Sequence, residues 1–155
     1  MTIWIDADAA PWEVKEIVFR AARRLKLVTV MVANQSLALP PNAPTVSMVT
    51  VSEGANIADR YIVTHSQPGD LVITADIPLA ADLVAKQVVV VDPRGDEHTP
   101  DNIQSRLSLR DFLDGMRGAG TLTSGNRPFD QRDKQRFAAA LDRYLAKARK
   151  SPGAP

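Results

Sequence analysis

The 155-residue sequence contains no cysteine. This absence excludes a disulfide scaffold, a thiolate metal site and a cysteine nucleophile. Because disulfides are rare in reducing compartments, the composition also favours a cytoplasmic protein. The two histidines, His65 and His98, are too few and too far apart in the sequence to predict a zinc site.

Aromatic residues and long apolar runs are also scarce. Aromatic residues make up 5% of the chain, which gives little support to a stacking platform for single-stranded nucleic acid. No apolar run approaches the roughly 18 residues of a membrane-spanning helix, and the N-terminus lacks the pattern of a signal peptide. We therefore expect no membrane partner. The overall content, 45% hydrophobic and 24% charged, is typical of one globular domain.

The net charge of +1 hides an asymmetry between the two parts of the chain. Residues 127–150 hold eight basic and three acidic residues, whereas residues 1–126 hold eleven basic and fifteen acidic ones. A basic segment on an acidic body can bind phosphates while the acidic part holds cations. The alternative is the ordinary solvated face of an amphipathic helix.

Apolar periodicity predicts an α/β fold. The predicted strands carry β-branched residues without polar alternation, which is typical of a parallel sheet covered on both faces. They lie at residues 3–5, 27–33, 45–51, 71–74 and 88–91. We predict a three-layer α/β/α domain with a mainly parallel five-stranded sheet. The link at residues 34–44 is short for a crossover, so the direction of the third strand stays open.

The sequence after residue 92 changes character and indicates helices. We predict a sheet-containing core at 1–92, a helical extension at 93–150 and a disordered tail at 151–155. Thr99, Ser108 and Asp130 each have the residue type and position of a helix N-cap.

Aspartates follow three of the predicted strands. Asp6 and Asp8 end the first strand, Asp76 follows the fourth and Asp92 follows the fifth, while Asp59 lies on the helix leading into the fourth. The carboxyl ends of parallel strands share one edge, where ligands bind near a topological switch point. We therefore expect these carboxylates to converge.

Converging carboxylates repel one another unless a cation neutralises them. Mg²⁺ or Mn²⁺ would do so through oxygen ligands, and such a site can activate water for phosphodiester hydrolysis. The alternative for each residue is a helix cap, because Asp8 precedes Pro11 and Asp76 precedes Pro78.

The D-x-D pattern also resembles the first motif of haloacid-dehalogenase-type phosphatases. In that interpretation Asp6 is the nucleophile, Asp8 the acid/base and Thr74 the phosphoryl ligand, with Asp92 and Asp96 as the metal motif. Two features depart from it. Ala10 stands where Thr or Val is usual, and Lys86 lies too close to the fifth strand.

Seven blocks of the sequence together are similar to one bacterial family. They are IDADAAP at 5–11, VANQ at 32–35, ADRYIV at 58–63, GDLVITADIPLA at 69–80, PRG at 93–95, RDFL at 110–113 and RPFDQRD at 127–133. In register over nearly the whole chain, they resemble the uncharacterised YaiI/YqxD family. That family is usually placed among PIN-like domains, whose active members are Mg²⁺- or Mn²⁺-dependent nucleases.

The resemblance implies particular metal and catalytic residues. The family's D-A-D-A-C-P block falls on residues 6–11, with Ala10 in place of the usual cysteine. Its acidic helix position falls on Asp59, and its T-x-D on Thr74 and Asp76. Asn56 stands where Asp is common and keeps an oxygen ligand. The implied metal ligands are Asp6, Asp8, Asp59 and Asp76, and the implied catalytic residues are Asp6, Asp8 and Asp76.

A further set of polar residues is predicted to bind the substrate, which would be RNA or DNA. The set is Asn34, Gln35, Asn56, Thr74, Arg94 and Arg127. The Asn34–Gln35 pair follows strand two, where plain loop hydrogen bonding is the alternative. Arg94 has the chemistry of a phosphate clamp, or of an ion pair with a neighbouring aspartate. The competing functional hypothesis is a non-catalytic module of the same fold that binds nucleic acid or protein.

Overall fold

The computed structural model describes residues 1–54, 56–118 and 127–149. The described residues form six strands and five helices. In chain order these are β1 (Thr2–Asp6), α1 (Trp12–Leu25), β2 (Val28–Ala33), β3 (Val46–Thr50), α2 (Ile57–His65), β4 (Leu71–Ile73), α3 (Ile77–Ala85), β5 (Val89–Val91), β6 (Glu97–His98), α4 (Ile103–Gly118) and α5 (Gln131–Arg149). The predicted tail at 151–155 lies outside the described residues.

The strands form one sheet in the order β3-β2-β1-β4-β5-β6. Every neighbouring pair is parallel except β5 and β6, so the open question about the third strand is settled as parallel. The predicted number of five strands was wrong. β6 has only two residues and lies inside the segment assigned to the helical extension, where no apolar run signalled a strand.

A tight turn joins β5 to the antiparallel β6. Asp92 Oδ1 accepts hydrogen bonds from the backbone N–H groups of Arg94 at 2.9 Å and Asp96 at 3.0 Å. Gly95 has a φ of +93°, and a Cβ there would lie 2.7 Å from the backbone of Arg136 on α5. Glycine is therefore required both by the turn and by the close approach of the helix.

Helices cover both faces of the sheet and give three layers. Alternate β1 side chains point to opposite faces, so Ile3 and Ile5 pack with α1 and α5, whereas Trp4 packs with α2 and α3. Because both faces are buried, the strands lack polar alternation, as predicted. Phe137 and Leu141 of α5 are 0% and 2% exposed, so the predicted extension is part of the main core.

The helix ends test the predicted caps. Asp76 Oδ1 accepts from Leu79 N at 2.9 Å and caps α3. Asp130 caps α5 by accepting a hydrogen bond from the backbone N–H of Asp133, and the Asp133 carboxylate in turn accepts one from the backbone N–H of Asp130. The predicted cap at Ser108 was wrong, because α4 passes through this exposed position without a break. No helix in the described ranges is long and apolar enough to cross a bilayer.

Candidate functional site

The carboxyl ends of β1 and β4 meet at the topological switch point of the sheet. These two strands are adjacent and parallel, yet α1 follows β1 onto one face and α3 follows β4 onto the other. The chain therefore diverges on leaving the two strands, which opens a crevice at that edge. Asp6 ends β1, and Thr74 directly follows β4.

A buried threonine links the aspartates that follow these two strands. Thr74 is 2% exposed, and its Oγ1 donates a hydrogen bond to Asp6 Oδ2 at 2.9 Å. The same oxygen accepts from the backbone N–H of Asp76 at 3.0 Å. Asp6 and Asp76 are thus held side by side across the switch point. The hydroxyl of Thr74 positions Asp6 here, and its predicted contact with substrate stays a prediction.

Asp8 does not cap the first helix, contrary to one of the alternatives raised by the sequence. Pro11 is the N-cap residue of α1, and no side chain caps that helix. Instead, Asp8 Oδ2 accepts a 2.7 Å hydrogen bond from the backbone N–H of Asn34. Asp8 and Asp76 both precede a proline but have different local roles, because the bend after β1 brings Asp8 to the end of β2.

Asp59 of α2 lies against the same group of carboxylates. Burial raises its pKa, and so do repulsion from Asp76 and Asp6, a hydrogen bond with the Asp76 carboxyl and repulsion from Asp82. Together these causes raise the pKa of Asp59 from 3.8 to about 6. The side chain therefore loses its proton at about pH 6.

The pKa of Asp6 is also raised. Burial is the largest cause; the hydrogen bond from Thr74 opposes it, and the charges of Asp76 and Asp8 add to it. Asp6, Asp8, Asp59 and Asp76 therefore share one electrostatic neighbourhood, as the strand-end pattern predicted. Such mutual repulsion is the situation that a bound cation relieves.

The arrangement of donors suits a partly hydrated hard cation better than a closed cage. Within residues 1–54, 56–118 and 127–149, no three His, Cys, Asp or Glu side chains are grouped so that they could hold a metal ion by themselves. Mg²⁺ usually keeps several waters and binds one or two carboxylates together with substrate phosphate. The oxygen-only donor set at this edge fits that chemistry, and the absence of cysteine excludes a thiolate site.

A cleft of about 440 Å³ opens beside Asp59, between α2 and α3. Its lining combines an apolar wall, one guanidinium and several polar groups. The lining residues are Asn56, Asp59, Arg60, Val63, Thr64, Pro78, Leu79 and Asp82. The predicted residue Asn56, which is exposed and has a left-handed φ of 67°, lies at this cleft. The cleft is large enough for a small-molecule-sized group such as a nucleoside.

Two predicted arginines are paired with an aspartate of α5. Arg94 and Arg127 both bind Asp133 of α5, at 2.5 Å and 2.6 Å. Their guanidinium groups lower the pKa of Asp133. The sequence left two roles open for Arg94, a phosphate clamp and an ion pair with an aspartate, and the structure contains the ion pair. Asp92, which the sequence grouped with the other strand-end carboxylates, holds the β5–β6 turn and does not contribute to the pKa shifts at the carboxylate edge.

Sequence reasoning missed Asp82, which raises the pKa of Asp59 and lines the same cleft. A signal was present, because Asp82 lies one helical turn after Pro78 and outside the buried stripe of α3, which is formed by Leu79, Ala80, Leu83 and Val84. The predicted residues Asn34 and Gln35 are exposed just after β2, on the carboxyl edge. His98, for which the sequence predicted no role, is 5% exposed, and its Nδ1 lies 2.9 Å from Nη1 of Arg106.

Comparison with known proteins shows similarity over nearly the full chain. Residues 4–147 match a family model described as "Uncharacterized BCR, YaiI/YqxD family". A UPF0178 protein of Cellvibrio japonicus is 51% identical over 151 residues, covering 97% of this chain and 99% of the relative. The UPF0178 protein YaiI of Escherichia coli O81 is 47% identical over 153 residues, covering 99% of this chain and all of the relative.

Proposed function

Because the chain belongs to the YaiI/YqxD family of uncharacterised proteins, we propose its function from the geometry: it hydrolyses phosphodiester bonds of RNA or DNA with a divalent metal ion. One observation carries the proposal. The charge of Asp76 adds to the burial that raises the pKa values of Asp6 and Asp59 at the switch point of a parallel sheet, and the charge of Asp6 adds further to the shift of Asp59. A site with this unbalanced negative charge suits a cation whose remaining coordination positions are open to water and phosphate.

Asp6 and Asp76 are the best-positioned ligands for Mg²⁺ or Mn²⁺, with Asp59 and Asp8 beside them. Thr74 donates to Asp6 Oδ2, and the cap of α3 uses Asp76 Oδ1, so each carboxylate has a second oxygen that these two bonds do not use. When bound, the ion would supply an activated water and neutralise charge on the phosphodiester. The raised pKa of Asp59 makes cation binding compete with a proton, so binding should strengthen as pH rises past about 6.

The surrounding residues provide room for substrate. The cleft between α2 and α3 adjoins Asp59, and its Val63 and Leu79 side chains offer apolar contact to a base. Arg60, exposed at the same cleft, can pair with a phosphate of the strand. A strand that enters this cleft would bring its backbone to the carboxylates.

The direct test is cleavage of a panel of RNA and single-stranded DNA with Mn²⁺ or Mg²⁺. Asp76→Asn is the informative variant, because asparagine caps helices as well as aspartate does and so preserves α3. Asp101→Asn, at an exposed turn before α4, is the matched control. We expect cleavage by wild type and by the control, and at least a hundredfold loss in Asp76→Asn, the order of a lost catalytic electrostatic contact.

Three results would count against the proposal. Undiminished cleavage by Asp76→Asn would show contamination or a different site. Binding of nucleic acid without cleavage under any metal would favour the non-catalytic module. Release of phosphate from small monoesters, abolished by Asp6→Asn, would favour the phosphatase.

A further inference from the structure

Trp12 is an exposed aromatic residue at the functional edge of the protein. It is 61% exposed, whereas Trp4, the other tryptophan, is 8% exposed in the core. Trp12 is the first residue of α1, the helix that follows the end of β1 at Asp6 and the loop that carries Asp8. Because α1 begins where β1 ends, its first turn lies on the carboxyl edge of the sheet.

The ring of Trp12 packs against a buried aromatic ring of the same helix. Phe19, one heptad further along α1 and 2% exposed, contacts it edge-on, with ring centroids 6.5 Å apart and an interplanar angle of 69°. The loop between β1 and α1 is held in place by the hydrogen bond that the backbone N–H of Asn34 donates to Asp8. Trp12 is therefore a large flat surface on a fixed base, so that ordering it on binding costs little conformational entropy.

The carboxylates lie between Trp12 and the α2–α3 cleft in the layered fold. α1 packs on one face of the sheet and α2 and α3 pack on the other, while Asp6 and Thr74 sit at the sheet edge between them. A strand that crosses this edge from the cleft passes the carboxylates and then meets the first turn of α1. One aromatic surface at the exit is the feature that a stacked base requires.

We propose that Trp12 stacks on an unpaired base of a single-stranded nucleic acid whose backbone crosses the carboxylate edge. The inference deepens the proposed function, on which its choice of ligand rests. A base within a duplex is not accessible to such a ring, so the substrate class is a single strand, a loop or an unpaired end. Stacking on tryptophan tolerates any base, so the strand would be bound without strong sequence preference.

Tryptophan fluorescence tests the proposal directly, because Trp4 is buried and Trp12 is exposed. The probe is an oligothymidylate or oligouridylate of about ten nucleotides, long enough to span such a site, titrated in EDTA and again in Mg²⁺. We expect quenching of wild-type emission on binding. Trp12→Leu, which keeps apolar bulk without an aromatic face, should bind roughly 5- to 100-fold more weakly by anisotropy of a labelled oligonucleotide.

Two further variants distinguish base stacking from non-specific binding to exposed apolar side chains. Trp12→Phe keeps an aromatic face and should recover part of the affinity lost in Trp12→Leu. Phe112→Leu removes an equally exposed aromatic ring, 62% exposed on α4, and should leave binding unchanged. Absence of quenching, or equal affinity of Trp12→Leu and wild type, overturns the inference.

The outcomes also distinguish this inference from the proposed function. Trp12-dependent binding without any cleavage would leave the stacking surface standing and refute the nuclease. Cleavage that requires Asp76 but is unaffected in rate and KM by Trp12→Leu would leave the nuclease standing and refute the stacking surface.

Discussion

Replacing Asp59 with asparagine should stabilise the metal-free protein near neutral pH. The folded state raises the pKa of Asp59 from 3.8 to about 6, so ionising this group in the folded protein is unfavourable. One pKa unit corresponds to about 1.4 kcal/mol, and the full shift to about 3 kcal/mol. Because the side chain is partly solvated, solvent screening reduces the expected gain to about 1–2 kcal/mol. For a chain of this size, that gain raises Tm by roughly 2–8 °C.

The pH dependence follows from the sign of the shift. The folded protein holds a proton on Asp59 at pH values where the unfolded chain has lost it. The contribution of this group to the free energy of unfolding therefore falls as pH rises from 3.8 to about 6 and then levels off. We expect Asp59→Asn and wild type to unfold together near pH 4, and the variant to be the more stable above pH 6.

The same variant should respond less to metal. At a Mn²⁺ concentration ten times the Kd, binding adds about 1.4 kcal/mol to the stability of wild type, or roughly 3–6 °C. We expect this shift to fall by more than half in Asp59→Asn and to stay intact in Asp101→Asn. Thermal melts in EDTA and in Mn²⁺ between pH 4 and 8 measure both effects. A variant that is less stable than wild type in EDTA at pH 7.5 would refute the electrostatic reasoning.

Two further substitutions test the supports around the site. Thr74→Val keeps the shape of the side chain but leaves Asp6 Oδ2 and the backbone N–H of Asp76 without their hydrogen-bond partner. Urea unfolding should therefore show a free energy of unfolding lower by about 1–3 kcal/mol, and Thr74→Ser, which keeps the hydroxyl, should lose clearly less. Asp133→Asn should lower Tm at pH 7 relative to the exposed control Asp142→Asn. The pKa of Asp133 is lowered in the folded state, so its carboxylate stabilises the fold fully above pH 3.8 and progressively less as pH falls below that value. The difference in Tm between Asp133→Asn and wild type should therefore shrink in acid.

The sheet and the carboxylate edge could be predicted because their signals are local and repeated. Apolar β-branched runs identified five strands, and an aspartate after β1 and β4 pointed to one edge. The sixth strand could not be found in this way. β6 is only two residues long, and it exists because the Asp92–Gly95 turn folds the chain back onto β5.

The roles of individual aspartates were harder to predict because they depend on contacts distant in sequence. Asp8 and Asp76 both precede a proline by two or three residues, yet only Asp76 caps a helix. The partner of Asp8 is Asn34, 26 residues away, and no local pattern specifies it. Arg94 likewise binds Asp133, 39 residues further along the chain. The low aromatic content gave little support to a stacking platform, and the proposal for Trp12 rests on the position of that residue rather than on the aromatic content of the chain.

The charge at position 76 is not explained by folding alone. Asparagine and aspartate are equivalent as N-caps, so either residue would satisfy Leu79 N at the start of α3. Aspartate adds repulsion toward Asp59 and Asp6, and that repulsion raises both of their pKa values. A residue that costs stability where a neutral one would fold as well is typical of a functional site. The proposed cation site accounts for the carboxylate of Asp76, because a cation that neutralises all three groups would offset the cost of placing them together.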